Sequence, residues 1–293
     1  MRRAPLGAVI AALVLAPWLL ADAQEARGEK WAVVVGANRD AGKHVAARKL
    51  AVADAEGWYA LLTTTGGFKK DHVMLLTDRS ERKPTLRNIK FAIGTFLGRS
   101  AEPDDVVILY LAGQGGVEAD ARGTERDGLV RYFMPSDAVA DDLFSTAVPL
   151  SEFLLLFGRI RAERAFLFLD ADYSGAVASL PFPSKRTPGG SEEGPWLERL
   201  ARSRGRVILA ASQANQLARE DPRLGHGIFT HYVLEGLGGA ADVNGDGVVS
   251  VDELYAYVER HVPPAARALG GDQHPTMKGE LTGALPFIRI PRN

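Results

Sequence analysis

No cysteine occurs anywhere in the 293 residues. That absence excludes disulfides, thiolate metal sites and anchoring through a lipid-bearing cysteine, and it leaves the redox compartment open. Excess charge is also missing: 35 Lys and Arg stand against 36 Asp and Glu, a formal net charge of −1. Nothing in that balance favours a phosphate backbone or an anionic membrane surface, so nucleic acid is not an expected partner. Past the N-terminus no apolar run approaches the ~20 residues of a membrane span. What is present is an ordinary hydrophobic share of 46%, ample for a sizeable core. The length suits one large α/β domain or two small ones.

The N-terminus addresses the compartment. Arg2 and Arg3 give a basic start, an apolar run follows from Leu6 to Leu20, and Ala21-Asp22-Ala23 is a small-x-small cleavage site. This three-part layout predicts a secretory signal over residues 1–23 and a mature chain over 24–293. The alternative is a membrane anchor, disfavoured because Pro17 interrupts a run that is already short. The expected location is extracytoplasmic, periplasmic or secreted, with no stable membrane span after cleavage.

Short apolar runs then alternate with helical patterns, the signature of parallel α/β units. Strands are predicted at Trp31–Val35, His72–Thr77, Val106–Leu111, Ala165–Leu169, Val207–Ala211 and, last, Leu285–Ile290. Ala51, Ala55, Trp58 and Leu62 repeat at helical spacing; Thr85 is a plausible N-cap for a helix burying Leu86, Ile89, Ile93 and Phe96. Leu150, Phe153, Leu154 and Phe157 mark another buried stripe. Two polar segments, Gly115–Asp127 and Pro181–Pro195, break this rhythm and read as loops. Both follow central strands, at whose carboxyl ends open α/β sheets build their sites.

The ends of the third and fourth strands carry the most specific signal. They read Tyr110-Leu111-Ala112-Gly113-Gln114-Gly115 and Asp170-Ala171-Asp172-Tyr173-Ser174-Gly175. The two stretches resemble the catalytic strand ends of caspase-like cysteine peptidases, Tyr-x-Ser-Gly-His-Gly and Asp-Ala-Cys-x-Ser-Gly. The likeness extends to Gly36, to Leu50–Ala55, to Tyr132–Asp137, to Ala210-Ala211-Ser212 with Gln216 and Glu220, and to Gly227–Thr230. In all it covers roughly 31–290, closer to the bacterial metacaspase-like branch than to animal caspases. It implies a three-layer α/β/α fold with a mostly parallel six-stranded sheet.

The same resemblance puts Asp172 where the nucleophilic cysteine belongs and Gln114 where the histidine belongs. A carboxylate attacks amides poorly, and an amide side chain neither takes nor gives a proton near neutral pH. A positioned acid–base group contributes typically ~10²–10⁴ in rate, so either change alone cripples hydrolysis. Metacaspase-like enzymes hold a basic substrate side chain between two acids, and the matching positions here are Asp54 and Asp170. Two function classes follow, beside a third reading as a decoy or regulatory partner of an active homologue, held through an edge strand or the polar loops. One is an inactive domain that binds or scaffolds a peptide or protein partner, with Lys or Arg side chains as the expected ligand. The other is a working endopeptidase that uses a non-standard nucleophile, for which Ser174 and the six histidines offer no readable triad. Lys185 and Arg186 sit in the second polar segment, where active relatives are often processed. Oligomeric state is not legible.

A separate pattern lies near the C-terminus. Asp242-Val243-Asn244-Gly245-Asp246-Gly247-Val248-Val249-Ser250-Val251-Asp252-Glu253 satisfies the twelve-residue calcium-loop pattern of the EF-hand. Asp242, Asn244 and Asp246 supply side-chain oxygens, Val248 its carbonyl, Ser250 a contact through water, and Glu253 a bidentate closure. The alternative is an acidic turn without an ion, in which the carboxylates repel one another. Ca²⁺ is the expected ligand, and the single loop reads as a stabilising clip rather than a sensor.

Overall fold

The computed structural model describes residues 28–39, 48–121, 123, 127–173 and 205–279, with the backbone alone for 286–289. The predicted signal, Ser174 and the Pro181–Pro195 segment lie outside the described residues.

β1 (Lys30–Gly36), β2 (Val73–Thr77), β3 (Val106–Ala119), β6 (Arg164–Ala171), β7 (Gly205–Ala210) and β11 (Thr276–Gly279) form the sheet in the order β11-β7-β6-β3-β1-β2. All neighbours are parallel except β11, which runs antiparallel to β7. The Val-, Leu- and Phe-rich strands are buried on both faces, as parallel strands between helices must be.

Each face has its own core. On one side α1 (Ala51–Thr63) packs with two later helices, α5 (Ile228–Glu235) and α6 (Val251–Ala268). The predicted stripe Ala51, Ala55, Trp58 and Leu62 is wholly buried there, and the Trp58 ring lies 5.0 Å from Tyr110 and 4.7 Å from Phe168. Each such large side chain removed from water contributes about 1.5–3 kcal/mol. On the other side lie α2, which runs from Leu86–Phe91 into a π-helical turn at Ala92–Leu97, and α4 (Leu150–Arg159). Ile89, Ile93, Phe153 and Phe157 meet Val33, Val35, Leu109 and Leu167. Thr85 is the N-cap of α2, its hydroxyl accepting from the Asn88 N–H at 3.3 Å. The result is the expected three-layer α/β/α sandwich.

Two strands depart from the sequence reading. β3 does not end at Leu111 but continues through Ala119, because β4 (Leu129–Met134) returns antiparallel to it and supplies the missing backbone partners. Much of the segment read as a polar loop is therefore a hairpin. The last strand, β12 (Pro286–Arg289), pairs with β10 (Val248–Ser250) and not with the main sheet, whose sixth place goes to β11.

Candidate functional site

Register alone brings the two motif ends together. β3 and β6 pair as Ala112 with Asp170 and Gly113 with Ala171, so Gln114 falls level with Asp172 at the carboxyl edge of the sheet. The Gln114 amide donates to Asp172 Oδ2 at 2.5 Å, and both side chains are buried. The two backbones also close up: a Cβ on Gly115 would lie 2.3 Å from the Asp172 carbonyl oxygen, so only glycine fits there. The chain then turns sharply at Tyr173, with φ of 60°, its N–H held by the Gln216 carbonyl at 2.9 Å. Left-handed backbone at a non-glycine residue is uncommon and gathers at functional turns.

Burial pushes the Asp172 carboxyl above the usual carboxylate range; Arg48 and N–H donation from Ala218 and Gly115 hold it back, while Asp170 adds to the rise. Ala218 donates to Asp172 Oδ1 at 2.9 Å. The pair therefore joins an amide to a carboxyl, with no imidazole to carry a proton and no sulfur to attack.

Asp54 and Asp170 belong to one buried cluster beside it. Asp54 comes from the first turn of α1 and accepts from His226 Nδ1 at 2.8 Å and from the Gly227 N–H at 3.0 Å. Asp170 Oδ2 accepts from the Thr230 hydroxyl at 2.6 Å, and Thr230 accepts from Tyr110 at 2.6 Å. Gly227 packs between the two carboxylates: a Cβ there would lie 2.7 Å from Asp170 Oδ2 and 3.1 Å from Asp54 Oδ2. Burial lifts the Asp54 carboxyl to about 6, helped by Asp170 and opposed by His226, Arg48 and Gly227.

Sequence reasoning missed the central member of this cluster. Arg48 is 3% exposed and bonds Asp170 Oδ1 at 3.1 Å, with its Nε 3.5 Å from Glu220 Oε1. Burial alone disfavours its charge, but Asp170, Glu220, Asp172 and Asp54 outweigh that, and it stays firmly protonated. Nothing in Ala46-Ala47-Arg48-Lys49 distinguishes this arginine from a solvated one. Glu220, noted only as part of a motif, also accepts from the Lys49 and Leu50 N–H groups at 2.9 and 2.8 Å just ahead of α1, whose first-turn Val52 N–H donates to Asn38 Oδ1 at 2.9 Å.

The calcium-type loop sits between α5 and α6. Its first three candidate ligands are held by loop N–H groups. Asp242 accepts from Gly245 at 2.9 Å and Gly247 at 3.0 Å, Asn244 from Asp246 at 2.8 Å, and Asp246 from Val248 at 2.8 Å. Gly247, with φ of 81°, makes the turn the pattern demands. Glu253 is turned to Ser250 in a capping box, accepting from the Ser250 N–H at 3.0 Å and its hydroxyl at 2.8 Å. In that orientation no group of three or more His, Asp or Glu side chains converges on one point among the described residues. The donor set fits a hard cation, with Glu253 having to swing from the cap to close it. β12 pairs antiparallel with β10 within this loop.

The chain is similar to known proteins in sequence and in fold. The caspase-domain family pattern matches residues 29–286. Metacaspase-1 of Yarrowia lipolytica is 28% identical over 163 residues, covering 53% of this chain and 33% of that protein. Metacaspase-1A of Neurospora crassa is 29% identical over 197 residues, covering 63% of this chain and 39% of that protein. The chain thus spans between a third and two fifths of the length of these relatives. Among solved structures, a protein from Geobacter sulfurreducens superposes with a TM-score of 0.59 at 22% identity, over 89% of this chain and 97% of that one. Caspase-1 from Spodoptera frugiperda gives a TM-score of 0.54 at 13% identity, over 91% and 92%. These two likenesses concern the fold. The family pattern, which matches residues 29–286, places this chain in the caspase-domain family, with metacaspases among its relatives.

Proposed function

We propose that this chain is a catalytically inactive caspase domain that acts outside the cytoplasm by binding or scaffolding a peptide or protein partner. The observation that carries the reading is the pair at the two strand ends. Where hydrolysis needs a thiolate and an imidazole, Asp172 and Gln114 stand hydrogen-bonded at 2.5 Å, in a chain with no cysteine. Amide-bond cleavage then lacks both its attacking group and its proton carrier. The buried charged cluster beside the pair supports recognition without chemistry. Turnover of arginine- and lysine-bearing peptides by the unmodified protein tests this, and none is expected.

The C-terminal loop is read as a calcium clip, in which Asp242, Asn244, Asp246, the Val248 carbonyl, Ser250 through water, and Glu253 would hold the ion. Bound there, calcium supplies charge neutralisation that ties α5 to α6. Extracellular sites of this type bind at ~10⁻⁴–10⁻³ M. At about 10 mM calcium that contributes about 1–3 kcal/mol, a shift of a few degrees in the unfolding midpoint. Glu253→Gln separates the two roles of this residue, because glutamine still completes a capping box but closes the ion site poorly. The variant is expected to match the parent in chelator and to lose the calcium-dependent rise. Equal midpoints for the parent with and without calcium would count against the clip.

A further inference from the structure

The acidic cluster at the strand ends already has an occupant, supplied by the chain itself. Four groups surround the Arg48 guanidinium. Nη2 donates to both Asp170 Oδ1 and the Asp170 carbonyl at 3.1 Å, Nη1 donates to the Ala218 carbonyl at 2.8 Å, and Nε faces Glu220 at 3.5 Å. Each member of that cradle is fixed by a contact that does not involve Arg48. Thr230 holds the other oxygen of Asp170. The start of α1 holds Glu220. Asp172 holds the Ala218 N–H, and His226 with Gly227 holds Asp54 behind them. These contacts hold the acceptors in place independently of Arg48, as a preorganised pocket requires.

We propose that Arg48 is a built-in ligand that keeps closed a preorganised guanidinium pocket at this site, and that an arginine side chain of a partner peptide enters only in exchange for it. The proposal rests on the binding reading above and changes its terms: the resting protein is shut to basic peptides. A guanidinium rather than an ammonium is indicated because the carboxylates and carbonyls present a fork of acceptors, which matches the planar donors of arginine.

Two measurements test it. Modification of native protein with phenylglyoxal, mapped by mass spectrometry, should leave Arg48 at least tenfold slower than Arg79 and Arg223, each with a side chain 72% exposed. A comparable rate would overturn the proposal. Next, millimolar N-ethylguanidinium should raise the unfolding midpoint of Arg48→Ala by several degrees. It should leave the parent and Arg48→Met unmoved, since their own side chains fill the space, and the effect should vanish in Arg48→Ala/Asp170→Asn. No rise in folded Arg48→Ala overturns the idea. Should that variant not fold, recovery on refolding with N-ethylguanidinium but not with potassium chloride supports it, and equal failure in both overturns it. Peptide hydrolysis enters neither readout, so this inference and the pseudopeptidase reading can fail separately.

Discussion

Asp170→Ala is expected to destabilise the fold by about 3–5 kcal/mol, because it leaves a guanidinium buried with its main partner gone. In a domain of this size that is a fall on the order of 10 °C in the unfolding midpoint. Arg48 and Asp170 are 3% and 0% exposed, so solvent screening does little to soften the loss. Thr230 and Tyr110 lose the acceptor that ends their hydroxyl chain as well. Adding Arg48→Met should restore much of the stability, since removing both charges leaves neither unpaired. Denaturant titration of the four proteins in a double-mutant cycle measures the coupling directly. A cost under about 1 kcal/mol for Asp170→Ala would mean that the cluster does not hold the charge as described.

The second large effect concerns reactivity. Asp172→Cys with Gln114→His puts a thiol and an imidazole at positions whose present side chains touch. An adjacent imidazolium lowers a thiol's pKa, so alkylation by iodoacetamide at pH 6 should be at least about tenfold faster than in Asp172→Cys alone. Arginyl peptides should nevertheless stay uncut until Arg48→Ala is added, because access and chemistry are separate obstacles here. Equal alkylation rates in the single and double variants would show that the two positions do not act as a pair. Cleavage by the double variant with Arg48 in place would show that the pocket is not closed.

Fold and site were legible to different depths. The helical stripe through Trp58 and the apolar runs of β3 and β6 declared the sandwich because burial on both faces imposes continuous hydrophobicity. The two strand-end motifs could be paired because parallel register sets Gln114 beside Asp172 once β3 and β6 are neighbours. Arg48 was invisible for the opposite reason. Its role depends on partners 122 and 172 residues away, and local sequence carries no trace of them. The hairpin over Gly115–Ala119 was hidden in a different way: glycines and charges suit a loop, yet the approach of β4 gives their backbone a ladder to join. Pro286–Arg289 reads as a strand, but nothing local shows that it pairs with the calcium-type loop rather than with the main sheet.

The most direct measurement is hydrolysis of a fluorogenic arginine- and lysine-peptide library by the unmodified protein in millimolar calcium, beside Asp172→Ala and Gln114→Ala. An inactive caspase domain predicts release no faster than buffer for all three. Turnover by the unmodified chain that disappears on replacing either residue would contradict it.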